Sequence, residues 1–162
     1  MTKDPAVLRL WDRRGVFGPF AVAGAGSVLA GGLLAAVIAA PTPTRHGVWA
    51  VAYLVLVLGA SQIVLGAGAA LLAAAPPTAR MVAVTAATFN VANVAILAGI
   101  VTGHGMVFDA GAVLLIAALV LFLNGVRNSD RRAWPLYGYR LFVGMLIVSI
   151  PFGMFAHTLG PS

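Results

Sequence analysis

Five stretches of about twenty or more residues run with hardly a charge: Val16 to Ala40, Val48 to Ala75, Met81 to Thr102, Val107 to Val126 and Gly138 to His157. Within them only Asp109 and Arg140 carry a formal charge. Runs of this length match a helix crossing a hydrocarbon core about 30 Å thick, and a helix satisfies its own backbone polar groups where water is missing. The rest of the chain is consistent with that solvent. Of 162 residues 61% are hydrophobic and 9% charged, where soluble domains carry about 25% charge. The expected fold is therefore an all-α, polytopic integral membrane bundle of five transmembrane helices forming a single membrane domain, preceded by a basic tail over residues 1–15.

The breaks hold turn formers and charge: Pro41, Pro43 and Arg45; Pro76, Pro77 and Arg80; Gly103 and Gly105 around His104; and a basic run from Arg127 to Arg140. Basic residues are retained on the cytoplasmic side, so their distribution predicts orientation. With the N-terminus inside, Lys3, Arg9, Arg13, Arg14, Arg80, Arg127, Arg131, Arg132 and Arg140 fall on the inner side, and only Arg45 falls outside. The expectation is N-in, C-out, in a cytoplasmic (inner) membrane. Trp11, Phe17, Trp134, Tyr137 and Tyr139 near one interface, with Trp49, Tyr53, Phe108 and Phe155 near the other, form the expected aromatic belts. The first span exceeds the apolar core of a signal peptide, and Asp4 and Asp12 precede it, so it reads as an uncleaved anchor.

What is missing restricts the chemistry. Without Cys there is no thiol redox and no cysteine-ligated metal, and the one Lys, Lys3, lies in the polar tail, away from any intramembrane Schiff base. All four acids are Asp, and none lies near the bilayer centre, which disfavours proton-coupled carriers and voltage sensors. Gly26-Ser27 lacks the following Gly of an intramembrane serine protease pattern, and a chain without Glu has no His-Glu-x-x-His. No catalytic residue is assigned, and an enzyme is not expected.

Helices in lipid associate through small residues and interhelical hydrogen bonds. The first span carries a four-residue stripe, Ala23, Ser27, Gly31, Ala35 and Ala39, widened by Gly24 and Gly32; the third carries Ala95, Gly99 and Gly103; the fifth carries Ser149, Gly153 and His157. Packing within the bundle accounts for these stripes, and the length of the first also suits a second copy. His-Gly recurs at His46-Gly47 and His104-Gly105, before the second and fourth spans, as it would in two related hairpins.

Three features are candidate sites. Gln62 lies 15 residues before Pro77 and Asn93 lies 16 after it, which levels the two amides on adjacent helices, and Asn90 shares a helix face with Asn93. Gln62, Asn90 and Asn93 form either helix-packing glue or the lining of a polar cavity for a small neutral or zwitterionic ligand. Ser149, Pro151 and Gly153 mark a possible hinge, because Pro151 removes a helical donor. His46, His104 and His157 with Asp109 fall on the outer side, where nitrogen and oxygen ligands would suit zinc or copper, or two imidazoles a haem. Arg13 and Arg14, with Arg127, Arg131, Arg132 and Arg140, are expected to contact anionic headgroups on the inner face rather than nucleic acid. The expected function is non-catalytic, as a small accessory or scaffold subunit of an envelope or respiratory assembly, with other membrane subunits or its own copies as partners. A small transporter or lipid-handling protomer is the alternative, and an outer-face metal or haem protein a second one.

Overall fold

A computed structural model describes residues 5–39, 45–129 and 134–159, with backbone alone for Pro5, Arg45, His46 and residues 152–159. The described chain is helical, with no strand. Helix α1 (Pro5–Asp12) leads into α2 (Arg14–Ile38). Helix α3 (Arg45–Ala52) runs through a π-helical stretch (Tyr53–Ala60) into α4 (Ser61–Leu72). Then follow α5 (Ala79–Thr102), α6 (Gly105–Gly125) and α7 (Trp134–Leu159). Among the described residues four helical runs are long and apolar enough to cross a membrane: Arg14–Ile38, Gly47–Leu72, Ala79–Thr102 and Gly105–Gly125. Their bounds differ from the expected ones by two or three residues at most ends.

The chain forms two compact units, one holding the residues up to Leu71 together with Pro76–Val82, the other Leu72–Ala75 and the residues from Ala83 on. In the first, α2 packs against α3 and the π stretch. The contact is made at glycine. A Cβ added to Gly24 would stand 2.6 Å from Ile63 Cγ1 and 2.8 Å from the Gly59 carbonyl oxygen, and one added to Gly59 would meet Val28 Cγ2 at 2.5 Å. One turn or two away, Gly31 faces Val55 and Gly66 faces Phe20 in the same manner. Val16, Phe20, Gly24 and Gly31 are the buried line of α2.

That line keeps Gly31 and Gly24 of the expected stripe but not its other members. Ala23, Ser27 and Ala35 are half-buried and Ala39 is exposed, while Gly32 has nothing within 4 Å of where a Cβ would be. At 3.6 residues per turn a four-residue step winds about 40° one way and a seven-residue step about 20° the other, so the steps of four from Val16 to Gly24 followed by one of seven to Gly31 hold the line nearer its neighbour than steps of four throughout.

In the second unit α5 and α6 form the corresponding hairpin. A Cβ at Gly99 would lie 2.5 Å from the Phe108 backbone nitrogen, and one at Gly111 would lie 2.7 Å from the Ile96 nitrogen and 2.9 Å from the Ala92 carbonyl oxygen. Phe89 and Phe122 fill the core beside them edge to face, with centroids 6.1 Å apart. Gly103, expected on the packing stripe of α5, has φ +72° and ends the helix instead. The left-handed conformation costs glycine little, and it is the usual residue just past a helix end. Thr78 caps the other end of α5, its hydroxyl accepting from the Met81 N–H at 3.2 Å.

Because the neighbours at Gly99 and Gly111 are backbone atoms, Gly99→Ala and Gly111→Ala are each expected to cost about 1–3 kcal/mol through overpacking. Gly26→Ala, with open space around it, should be neutral or stabilising by up to about 1 kcal/mol through helix propensity. Unfolding of the purified variants in detergent measures the difference.

Candidate functional site

A polar side chain in an apolar helix has few donors and acceptors within reach, and most of those described here bond to their own helix. The hydroxyls of Ser27 and Thr102 donate to the carbonyls of Ala23 and Ala98, at 2.9 and 2.7 Å. Asn90 Nδ2 donates to the Ala86 carbonyl and Asn93 Nδ2 to the Phe89 carbonyl, each at 2.8 Å. Asn93 is fully buried and Asn90 half-buried.

Gln62 is different. It is 0% exposed, on a helix face shared with the buried residues Leu58, Leu65 and Ala69, yet neither Nε2 nor Oε1 has a hydrogen-bond partner. The backbone before it is unusual as well. The π stretch closes at Ser61, whose N–H donates to the carbonyl of Leu56 five residues back, while its hydroxyl donates to the carbonyl of Val57. A π segment widens the turn, and such segments recur at functional sites. Gln62 belongs to the first unit and Asn90 and Asn93 to the second, and each is described within its own unit.

The basic residues at the helix ends have an internal role. Arg13 Nη1 donates to the Ala70 carbonyl at 2.9 Å, near the C-terminus of α4. Arg140 Nη2 donates to the carbonyls of Val126 and Arg127, at 3.4 and 3.2 Å, just past the C-terminus of α6. A cation is favoured at that end of a helix, where carbonyls lack partners. Each unit therefore has an arginine from one helix sealing the end of another. Arg14 lies 5.7 Å from the Trp11 ring centroid, at cation–π distance, and Arg127 is exposed. Arg131 and Arg132 lie outside the described residues.

At the other candidate positions, His104 is exposed and occupies the N-cap of α6, its Nδ1 3.1 Å from the Thr102 carbonyl. Asp109 is exposed, and α6 starts two residues earlier than expected, which moves Asp109 from the first turn to the second, beyond the strongest part of the helix dipole. Among the described residues no three metal-binding side chains gather; the side chains of His46 and His157 are not among them. Ser149 is exposed and donates to the Leu146 carbonyl at 2.8 Å. Helix α7 continues through Pro151, whose missing N–H leaves the Ile147 carbonyl without its usual donor; the surroundings of Gly153 are outside the described residues.

The π stretch and the two arginine caps have no counterpart in the sequence reading. The first had no motif to announce it. The arginine caps could have been found, because Arg13 lies 30 residues before Pro43 and Ala70 lies 27 after it, the same hairpin arithmetic that levels Gln62 with Asn93. No family model, curated protein or solved structure matches this chain. Its class rests on the fold: among the described residues it is all-helical, with four helical runs long and apolar enough to cross a membrane.

Replacing the orphaned amide by a side chain of nearly the same shape tests its state. If nothing pairs with Gln62, Gln62→Met should raise stability by about 1 kcal/mol or more, since an unsatisfied buried group costs about 1–3 kcal/mol. A loss of stability, measured by unfolding in detergent, would reveal a bound partner.

Proposed function

We propose that this chain is a five-span inner-membrane protein, N-in and C-out, that acts without catalysis as an accessory or scaffold subunit of a larger membrane assembly. Helix α7, at 26 residues, has the length for the fifth crossing. The basic residues support the orientation, nine of the ten lying in segments that this topology places inside. On that face Arg14 and Arg127 do not make the helix-sealing bonds described for Arg13 and Arg140, and phosphate headgroups are natural partners for them and for the neighbouring Arg131 and Arg132 of the sequence.

The observation that carries the subunit reading is the second side of α2. Only 11% of its apolar window is buried, against 28%, 33% and 33% for the other three runs. Along the outward side Gly18, Ala25, Gly32 and Ala39 recur every seven residues, and neither Gly18 nor Gly32 has a neighbour within 4 Å of a Cβ position. This row is about 100° from the Gly24 and Gly31 row. Small residues gain little from lipid tails but let a second helix approach closely, and a seven-residue period suits a left-handed crossing. The row fits a helix of another subunit or of a second copy.

The cysteine-free chain makes the test direct. Ala25→Cys is expected to crosslink in native membranes to a copy or to another subunit, and Gly32→Leu to remove that product without lowering the unfolding temperature of the purified protein. An uncrosslinked, stable monomer under both conditions would sink the reading.

A second reading, a small transporter or lipid-handling protomer, is favoured by Gln62, whose unpaired donor and acceptor stand ready for a polar guest. Under that reading substitution of Gln62, Asn90 and Asn93 by Ala abolishes ligand binding or transport while the fold survives.

A further inference from the structure

Helix α1 leaves its apolar side uncovered. Val7, Leu8 and Trp11 are 60%, 42% and 69% exposed, unusual for large apolar side chains outside a spanning segment. At 100° per residue, Leu10, Val7, Trp11 and Leu8 fall within an arc of about 160°, and Arg9 and Asp12 occupy the remainder. Helix α1, about two turns long, is followed at once by α2, which begins at Arg14, with the Arg13 N–H donating to the Arg9 carbonyl at the junction. Between them Arg13, at φ −103° and ψ 27°, departs from helical geometry, so the chain changes direction there, and the Arg13 side chain ties the junction to Ala70 at the end of α4.

We infer that α1 lies along the membrane surface as an interfacial helix, with Val7, Leu8 and Trp11 dipping among the acyl chains and Arg9 and Arg14 holding anionic phosphate headgroups. The partner is a lipid surface rather than a protein groove because of charge and position. Three arginines, Arg9, Arg13 and Arg14, stand against one acid, Asp12, within six residues, at the point where a long apolar helix begins. An eight-residue helix with Val7, Leu8, Leu10 and Trp11 on one side and Arg9 on the other, followed directly by Arg13 and Arg14, has the pattern of a headgroup-level anchor, and Trp is the side chain most at home at that depth. The Arg14 guanidinium, 5.7 Å from the Trp11 ring centroid, is held where ring and phosphate can share it. Because Arg13 is bonded to Ala70, an α1 seated in the headgroups would fix the height of the α2 and α4 ends relative to the bilayer. The inference rests on the reading that α2 enters a membrane at Arg14.

The full chain tests it. Trp49→Phe with Trp134→Phe leaves Trp11 as the single indole, and the protein is reconstituted in vesicles of phosphatidylcholine with and without phosphatidylglycerol. Flotation after a carbonate wash reports whether the spanning helices are embedded; failure there overturns the membrane reading itself, separately from α1. In floated vesicles the expected result is blue-shifted Trp11 emission, several-fold weaker quenching by acrylamide than in the unfolded chain, and stronger quenching by bromines near the acyl carbonyls than by bromines at the chain ends. Val7→Ser with Leu8→Ser should restore acrylamide access several-fold, and Arg9→Gln with Arg14→Gln should remove the extra shielding given by phosphatidylglycerol. Water-like emission with full acrylamide access in both vesicle types would overturn the inference. So would shielding that brominated lipid does not touch and that persists in lipid-poor detergent, which would mean a protein partner covers α1.

Discussion

Two helix backbones touch at Gly24 and Gly59, and the first unit depends on that approach. In lipid the apolar side chains gain nothing by leaving one apolar surroundings for another, so helices are held by the closeness of their atoms. A methyl group at either position would collide with a carbonyl oxygen or a branched side chain, within 2.5–2.8 Å. The second unit repeats the device at Gly99 and Gly111, with Phe108 and Ile96 as the partners. Glycine here is the means of contact, at the expense of helix propensity that the low-dielectric surroundings make less important.

Close backbones put a condition on polar groups. With little room between helices, a hydroxyl or amide most easily finds the carbonyl one turn before it in its own helix, as Ser27, Asn90, Asn93 and Thr102 do. Such bonds satisfy the donor without joining two helices. At the helix ends two arginines do join separate helices, Arg13 bonding to Ala70 and Arg140 to Val126 and Arg127. Their length lets a charged head reach carbonyls past a helix end while the stem stays along apolar surface. Charge therefore does two things in this chain: it flanks helix ends at Arg13, Arg14, Arg80 and Arg127, and at Arg13 and Arg140 it seals the end of a neighbouring helix.

The sequence disclosed the helices and their ends well, because an apolar run bounded by charge or proline is a strong and local signal. Arg14, Arg80 and the Gly103–Gly105 turn mark ends within two or three residues. It disclosed less about faces. Gly24 and Gly31 of the expected stripe do line the contact, but Ala23 and Ser27 lie beside it, and the buried line is completed by Val16 and Phe20, which a search for small residues does not find. Gly103 looked like the end of a second stripe, though its place one residue past α5 makes it a turn former. The sequence singled out Gln62 by its residue type, but the π turns before it follow from no residue pattern, since Tyr53 to Ala60 would be equally at home in an α-helix. For the same reason Pro19, inside α2, passed without notice: proline is a breaker in water, whereas in an apolar helix neighbouring groups absorb the lost bond.

The two small-residue rows of α2 bear on each other. A helix that needed only its hairpin partner would place glycine along one line and fill the rest of its circumference with Leu, Val and Phe, which pack well against lipid tails. Here Gly24 and Gly31 supply the hairpin line, and Gly18, Ala25 and Gly32 lie one residue further round with no neighbour at the two glycines. Retaining glycine on an uncovered line carries a propensity cost of about 1 kcal/mol per residue relative to Ala, and the hairpin receives nothing in return. That cost is explained if a second helix closes on the outward row as α3 and the π stretch close on the inward one. Helix α2 would then be the shared wall between this chain and its neighbour, and Arg13, bonded at the foot of that wall, would hold it upright against α4.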